Sequence, residues 1–233
     1  MLVGVLTALG VIGAIGLLVV LFLQRGRDGM DLSLGSLLRV YLYLASLAGV
    51  IAFAIGLAGI ISYVLAAAVG PDVIYGGQRP QPVPMTVAPC PPNVPCTPAP
   101  VPLVFIKDLR IQQQTQDLVR GVTFVIFGGA FWAAHWWARR AVAGVGDRAS
   151  GLHRAYLILG TAIFGIATIA FLPMGIYQAL SFAIVPPDQF SFRPGAGEAL
   201  SGGLAALPLW LAYLWLVQRA LRSMTPPPPP TVV

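Results

Sequence analysis

Residues 131–140, FWAAHWWARR, contain the side chains of this chain that could most directly take part in chemistry. His135 lies among three tryptophans, and the other histidine of the chain is His153. Two histidines on neighbouring helices could hold a haem iron between them, which would make the protein an electron carrier. However, His153 precedes Arg154 at the start of the next apolar run, and no cysteine, aspartate or glutamate joins the histidines at metal-ligand spacing. Haem ligation by His135 and His153 is therefore the weakest alternative, and we expect no cofactor and no metal.

A helix end at a membrane interface uses the same residue types. Tryptophan favours the interface because its ring is buried while its N–H stays hydrated, and arginine extends its charged head into the headgroups. The predicted interface anchors are Trp132, Trp136, Trp137, Arg139 and Arg140, together with Trp210, Trp215 and Arg219 in a later segment. This interpretation explains every residue of 131–140 except His135, and we prefer it to ligand binding.

The composition indicates a protein whose main solvent is lipid. Of the 233 residues, 57% are hydrophobic and 9% are charged, whereas soluble domains carry roughly 25% charged residues. A net charge of +6 would suggest nucleic acid as the partner of a soluble protein. In a membrane protein an excess of Lys and Arg is first of all a signal of orientation, so we expect no nucleic-acid partner.

Five apolar runs are long enough to cross a bilayer, which takes about 20 residues. They are residues 2–23, 40–69, 122–138, 155–185 and 199–217. The basic residues Arg25 and Arg27 follow the first run, whereas a cleaved signal peptide normally begins with them, so this run is expected to be retained. The sequence therefore predicts an all-α integral membrane bundle of five transmembrane helices.

The apolar runs divide the chain into four parts. Residues 1–69 hold the first two transmembrane helices, 121–222 hold three more, and 223–233 form a disordered proline-rich tail. Residues 70–120 are an extracytoplasmic loop whose first part, with eleven prolines between residues 71 and 102, should stay extended and form no helix. Its last part should form a short helix leading into the third run, or an amphipathic stretch on the membrane surface.

Lys and Arg are unevenly divided between the two sides of the predicted bundle. With the N-terminus outside, nine lie on the inner side and five on the outer side, as the positive-inside rule requires. This orientation predicts a bacterial cytoplasmic membrane protein with a cytoplasmic C-terminus. It also places Cys90 and Cys96 outside, where a disulfide between them would persist; the alternative is two free thiols.

Two segments repeat in the same order along the chain. LLRVYLYL and LHRAYLIL share the pattern R-x-Y-L-x-L, with Arg39 and Tyr41 aligned to Arg154 and Tyr156. The helix ends FWAAHWW and LWLAYLW also align, with His135 opposite Tyr213. The unit is a helix ending in aromatic residues and arginine, a basic loop, and a helix that opens with R-x-Y-L. Because both units lie on the same side of the membrane, they predict a parallel internal repeat.

These motifs resemble a bacterial family of multi-span membrane proteins of unknown function, in which W-x-x-H-W helix ends precede R-x-Y-L-x-L helix starts. The resemblance covers residues 39–69 and 121–219, and the proline-rich loop lies outside it. It implies a multi-span membrane protein and no particular activity. The fifth run departs from the pattern because Tyr213 replaces the histidine, so a cofactor site at that histidine would be missing from this unit.

The predicted spans carry few groups that could transport ions or catalyse a reaction. All eight acidic residues lie in loops or at span ends, which disfavours an ion-coupled transporter. Small residues recur every fourth position, as at Ala48, Ala52 and Gly56, and favour close helix packing. There is no G-x-S-x-G motif and no pair of carboxylates suited to catalysis.

The sequence therefore predicts a non-enzymatic structural or accessory subunit of a membrane complex. Its expected partners are the lipid bilayer and either other membrane proteins or further copies of the chain. The alternative is a channel or small-solute carrier that uses the repeat interface as its path. The spans show little of the polar lining that such a path needs.

Overall fold

The computed structural model describes residues 34–76, 106–142, 151–185 and 194–222. These residues form five α-helices and no strand. The helices are α1 (Leu34–Val69), α2 (Pro71–Tyr75), α3 (Ile106–Val142), α4 (Gly151–Ile184) and α5 (Gly197–Arg222). The first predicted span, the cysteine pair Cys90 and Cys96, and the C-terminal tail lie outside the described residues.

Four of these helices are long and apolar enough to cross a membrane, namely α1, α3, α4 and α5. The prediction of an all-α bundle is confirmed, and these helices correspond to the second to fifth apolar runs. Helix α1 has 36 residues and is therefore about 54 Å long at about 1.5 Å per residue. A hydrocarbon core is only about 30 Å thick, so a helix of this length must tilt or extend beyond it.

The long helices form two antiparallel pairs, α1 with α3 and α4 with α5. In the first pair, Gly49 lies against Trp132 and Gly56 lies against Val125, so residue numbers fall on one helix as they rise on the other. Helix α1 also packs against α5 and, less extensively, against α4. In the described part of the chain, α3 makes no backbone contact with α4 or α5. Helix α1 therefore joins the two pairs.

The hydrophobic core lies between α1, α4 and α5. Its buried members include Tyr43 and Leu47 of α1, Tyr156 and Phe164 of α4, and Tyr213 of α5. No buried residue of α3 belongs to this core. Helix α3 is instead held to α1 by close backbone approach at glycines on both helices. It is thus the outermost of the four long helices.

The bundle has two chemically different ends. We call the end where α1 and α4 begin and α3 and α5 finish the basic end; it carries Arg39, Arg139, Arg154 and Arg219. The opposite end, which includes α2, is called the cleft end. Both R-x-Y-L starts and both tryptophan-rich helix ends lie at the basic end, in the order that a parallel repeat requires. The repeat itself stays a prediction.

One expectation for the proline-rich segment is wrong at its first residues. Residues Pro71–Tyr75 form a short helix, because proline at the first helical position needs no N–H partner. Gly70 and Gly76 flank this helix with φ of 103° and 84°, a backbone region that glycine adopts without strain. The backbone N–H of Ala196 donates to the Val73 carbonyl at 2.9 Å. This contact attaches α2 to the segment that leads into α5.

The segment before the third apolar run forms a helix, as predicted. This helix is continuous with the span, since α3 runs from Ile106 to Val142 without a break. Its first turns carry polar and charged residues, and its apolar part begins at Gly121. Helix α3 therefore extends well beyond its apolar stretch at the cleft end.

Candidate functional site

A cleft with a volume of about 1300 Å³ opens at the cleft end of the bundle. Helix α3 forms one wall, and the start of α5 with the residues before it forms the other. Helix α1 forms the floor and α2 closes the end. Its polar lining includes Ser62, Tyr75, Gln116, Asp117, Arg120 and Glu198. The cleft exists because α3 contacts α1 and α2 but stays away from α5.

Asp117 accepts hydrogen bonds from two other side chains of the cleft. The Tyr75 hydroxyl donates to its Oδ2 at 3.2 Å, and the Arg120 guanidinium donates to its Oδ1 at 2.7 Å. Arg120 lies one turn further along α3, so this ion pair holds the carboxylate on the cleft wall. Tyr75 comes from the opposite side, on α2. A carboxylate fixed by two donors retains further lone pairs for a ligand.

Tyr75 is positioned to remain a hydrogen-bond donor at neutral pH. Burial raises the pKa of Tyr75 far above the usual tyrosine value of about 10, and the negative charge and hydrogen bond of Asp117 raise it further. Its phenol is therefore protonated at physiological pH.

The Arg110 guanidinium also donates to Asp72 of α2, which links this short helix to α3 on the outside of the cleft.

Two serines form a polar contact at the floor of the cleft. The Ser62 hydroxyl of α1 donates to the Ser201 hydroxyl of α5 at 2.8 Å, and both residues are buried. This interhelical hydrogen bond joins the two helix pairs beside the cleft. Carboxylates, amides, hydroxyls and a guanidinium thus surround one cavity. Such a set can bind a small solute through hydrogen bonds and charge.

A second polar cluster lies at the basic end, between α1, α3, α4 and α5. The Tyr156 and Tyr213 hydroxyls hydrogen-bond each other at 2.8 Å, and Ser46 Oγ lies 3.4 Å from the Tyr156 hydroxyl. The Arg139 guanidinium lies over two rings, with its Cζ 4.6 Å from the centroid of Tyr43 and 4.9 Å from that of Tyr156. Arg139 thereby links α3 to α4, although the backbones of these helices do not touch.

The predicted interface anchors occupy different environments at the basic end. Trp132, Trp137 and Trp215 are exposed, as an interfacial anchor would be. Arg140 stacks on Trp136 with its Cζ 3.6 Å from the ring, and Arg219 lies 5.5 Å from the ring of Trp215. Two residues instead face the bundle, since Trp210 packs over Gly165 and Arg139 lies against Tyr43 and Tyr156. The anchoring role stays a prediction for the exposed group.

The two histidines do not approach a common site. His135 hydrogen-bonds through Nδ1 to the Phe131 carbonyl at 2.8 Å, and its Nε2 lies 3.5 Å from the Tyr41 hydroxyl. Since a carbonyl only accepts, Nδ1 is the donor in the contact with Phe131. His153 contacts Tyr43 instead, at 3.4 Å. Tyr41 and Tyr43 project about 200° apart around α1, so this arrangement gives no support to a haem held between the histidines.

The described residues contain no group of three or more His, Cys, Asp or Glu side chains that could hold a metal ion. The cleft was not predicted from the sequence, because Tyr75, Asp117 and Glu198 are far apart along the chain and each lies at a span end. The spacing of Asp117 and Arg120 was the one available signal, since an acid and a base three residues apart share a helix face. Nothing in the sequence placed Tyr75 opposite them.

Comparison of the chain with protein-family models, with curated proteins and with solved structures gave no match. The resemblance to the W-x-x-H-W and R-x-Y-L-x-L family therefore stays a prediction. What this chain does must be inferred from its own two polar clusters, of which the first surrounds the cleft.

Proposed function

We propose that this protein is a multi-pass protein of the bacterial cytoplasmic membrane that binds a small polar solute in its cleft without catalysing a reaction. The excess of arginine at the basic end supports a cytoplasmic location for that end and an outer location for the cleft. This proposal corresponds to the channel or carrier alternative of the sequence analysis. The observation that carries it is the polar lining of a cavity of about 1300 Å³.

The position of the cleft along the bundle supports access from water. The apolar part of α3, residues 122–138, spans about 26 Å at about 1.5 Å per residue, close to the thickness of a hydrocarbon core. The cleft residues Gln116, Asp117 and Arg120 precede this part. A solute could therefore enter from the outer surface without passing through lipid. Polar side chains at such a place are costly unless they face water, protein or a ligand.

The side-chain packing near the basic end of the bundle favours a solute-binding protein or an alternating-access carrier over an open pore. Tyr43, Tyr156, Tyr213 and Phe164 are all buried between the helices beneath the basic end. Their rings contact one another, with centroids 5.4 Å apart for Tyr43 and Tyr156 and 5.7 Å apart for Phe164 and Tyr213. The cleft thus leads into a packed core. A carrier would have to separate these rings in order to release a solute inside.

The test compares two aspartate variants of the purified protein in lipid nanodiscs. Amino acids, sugars and polyamines are screened for an increase in the thermal unfolding temperature, and the affinity of any active solute is then measured. Asp117→Asn should weaken binding at least about tenfold, which corresponds to about 1.4 kcal/mol. Asp72→Asn is the control, because Asp72 is exposed and lies outside the cleft. It should change the affinity less than about twofold.

Two results would contradict the proposal. One is that none of these polar solutes stabilises the wild-type protein. The other is that Asp117→Asn and Asp72→Asn weaken binding equally, because a ligand in the cleft must distinguish them.

The accessory-subunit function remains a second candidate, favoured by the outward face of α3. Large apolar side chains are exposed along this helix, including Ile126 at 60% and Phe127 at 71%. Lipid can cover such a face, and so can a helix of a partner protein or of a second copy. The relevant experiment is purification from native membranes in mild detergent, followed by quantitative mass spectrometry. A stoichiometric partner would support the subunit role, and recovery of the chain alone would favour solute binding.

A further inference from the structure

Six arginines of the described residues lie at the basic end, namely Arg39, Arg139, Arg140, Arg154, Arg219 and Arg222. The segments that adjoin this end in sequence contain nine arginines and three aspartates, an excess of six, which equals the formal net charge of +6. The arginines are Arg25, Arg27, Arg39, Arg139, Arg140, Arg148, Arg154, Arg219 and Arg222, and the aspartates are Asp28, Asp31 and Asp147. The segments that adjoin the other end in sequence contain the remaining five basic and five acidic residues, whose charges cancel. An anionic ligand is therefore attracted to the basic end.

One of these arginines differs from the others in its surroundings. Arg139 is partly buried, and its guanidinium lies against the rings of Tyr43 and Tyr156. Its Nη1 is buried and has no hydrogen-bond partner among the described residues. Its neighbour Arg140 is exposed and stacks on Trp136. The two adjacent arginines carry equal charge, but Arg139 is partly buried against aromatic rings, whereas Arg140 is exposed.

The surroundings of Arg139 match what a phosphate group requires. The two tyrosine rings hold the planar guanidinium in a fixed orientation, and this geometry lets arginine donate two parallel hydrogen bonds to a phosphate. The buried Nη1 donor has no hydrogen-bond partner among the described residues, which is unfavourable, so a phosphate oxygen that accepts from it would offset an existing cost. Tyr43, whose ring lies under the guanidinium, also contacts a histidine, since its hydroxyl is 3.4 Å from His153 Nδ1. Basic pockets between transmembrane helices bind anionic headgroups in the same way.

We propose that Arg139, held against the rings of Tyr43 and Tyr156, binds an anionic phosphate group at the basic end of the bundle. The phosphate comes from the headgroup of an anionic lipid or from a free phosphate compound, since both present the same oxygens to the guanidinium. The site is independent of the cleft, which lies at the opposite end.

The experiment measures lipid binding to the purified full-length protein in neutral detergent by native mass spectrometry. Phosphatidylglycerol should bind at least tenfold more tightly than phosphatidylcholine, because the choline cation is repelled by the surrounding arginines. Arg139→Gln should weaken phosphatidylglycerol binding about tenfold, and Arg140→Gln should weaken it less than twofold. Both variants remove one charge at neighbouring positions, so diffuse attraction alone would weaken binding equally.

A second pair of variants keeps the test decisive if Arg139→Gln fails to fold. Arg139→Lys retains the charge but loses the planar fork, and it should weaken binding about threefold, whereas Arg140→Lys should have no effect. Inorganic phosphate at millimolar concentration identifies the source of the phosphate group. If it competes with phosphatidylglycerol, the site binds free phosphate compounds. If it does not compete, the site binds the lipid headgroup. Equal binding of the two lipids, or equal effects at Arg139 and Arg140, would overturn the proposal.

Discussion

Gly128→Ala should destabilise the pairing of α3 with α1 by about 2 kcal/mol, whereas Gly129→Ala should be neutral or slightly stabilising. A Cβ added at Gly128 would lie 2.6 Å from the backbone nitrogen of Phe53 and 2.9 Å from the carbonyl carbon of Ala52. These are backbone atoms, so the two helices would have to move apart. A Cβ at Gly129 would meet only the Phe53 ring, at 3.5 Å, which is an ordinary contact.

The two glycines are adjacent on one helix, so each variant controls for the other. The measurement is unfolding of the purified protein by an increasing mole fraction of sodium dodecyl sulfate in mixed micelles, monitored by tryptophan fluorescence. Because α3 lies outside the core, Gly128→Ala should separate α3 from α1 before the remaining helices unfold. Equal free energies of unfolding for the two variants would show that close packing at Gly128 does not hold α3 in place.

Tyr156→Phe should lower the free energy of unfolding by about 2 kcal/mol, and Tyr41→Phe should lower it by less than about 0.5 kcal/mol. These tyrosines are equivalent in the R-x-Y-L-x-L pattern, yet Tyr156 is 6% exposed and Tyr41 is 55% exposed. Loss of the Tyr156 hydroxyl would leave the buried Tyr213 hydroxyl without its partner at 2.8 Å. An unpaired buried hydroxyl retains its full desolvation cost, whereas at the exposed Tyr41 site water can replace the lost hydroxyl as the partner of His135.

A double variant separates the hydrogen bond from other effects of the substitution. Tyr213→Phe alone should also destabilise the protein, but Tyr156→Phe combined with Tyr213→Phe should cost less than the two single changes together. Removing both partners leaves no unpaired group between α4 and α5. The same detergent titration provides the free energies of unfolding. Additive effects of the two changes would contradict a direct hydrogen bond between these hydroxyls.

The sequence predicted much of the fold because chain length and hydrophobicity act locally. In an apolar environment a backbone must form its hydrogen bonds within its own segment, so four long apolar runs had to become helices. A short helix before the third run was also expected, since FIKDLRIQQQTQDLVR consists mainly of helix-forming residues. That it forms one continuous helix with the span was not predicted. The short helix α2 was not predicted, because the eleven prolines in residues 71–102 indicate an extended chain. This pattern concealed the preference of proline for the first position of a helix, which applies at Pro71.

The tertiary structure decided which side chains meet. A uniformly apolar helix has no hydrophobic stripe that reveals its inner face, so the sequence could not distinguish Tyr41, which is exposed, from Tyr43, which is buried. The same ambiguity placed Arg139 with the outward anchors, whereas its guanidinium lies between α1 and α4.

The cleft depends on the tertiary structure even more strongly. It forms because glycines such as Gly56 and Gly121 let α3 approach the backbone of α1, while the described part of α3 makes no backbone contact with α5. The sequence by itself determined the number, length and charge bias of these helices, since these follow from local composition. The tertiary structure placed Tyr75, Asp117 and Glu198 around one cavity. It did so because α3 packs against α1 and not against α5, and the distance between α3 and α5 is a property of the whole bundle.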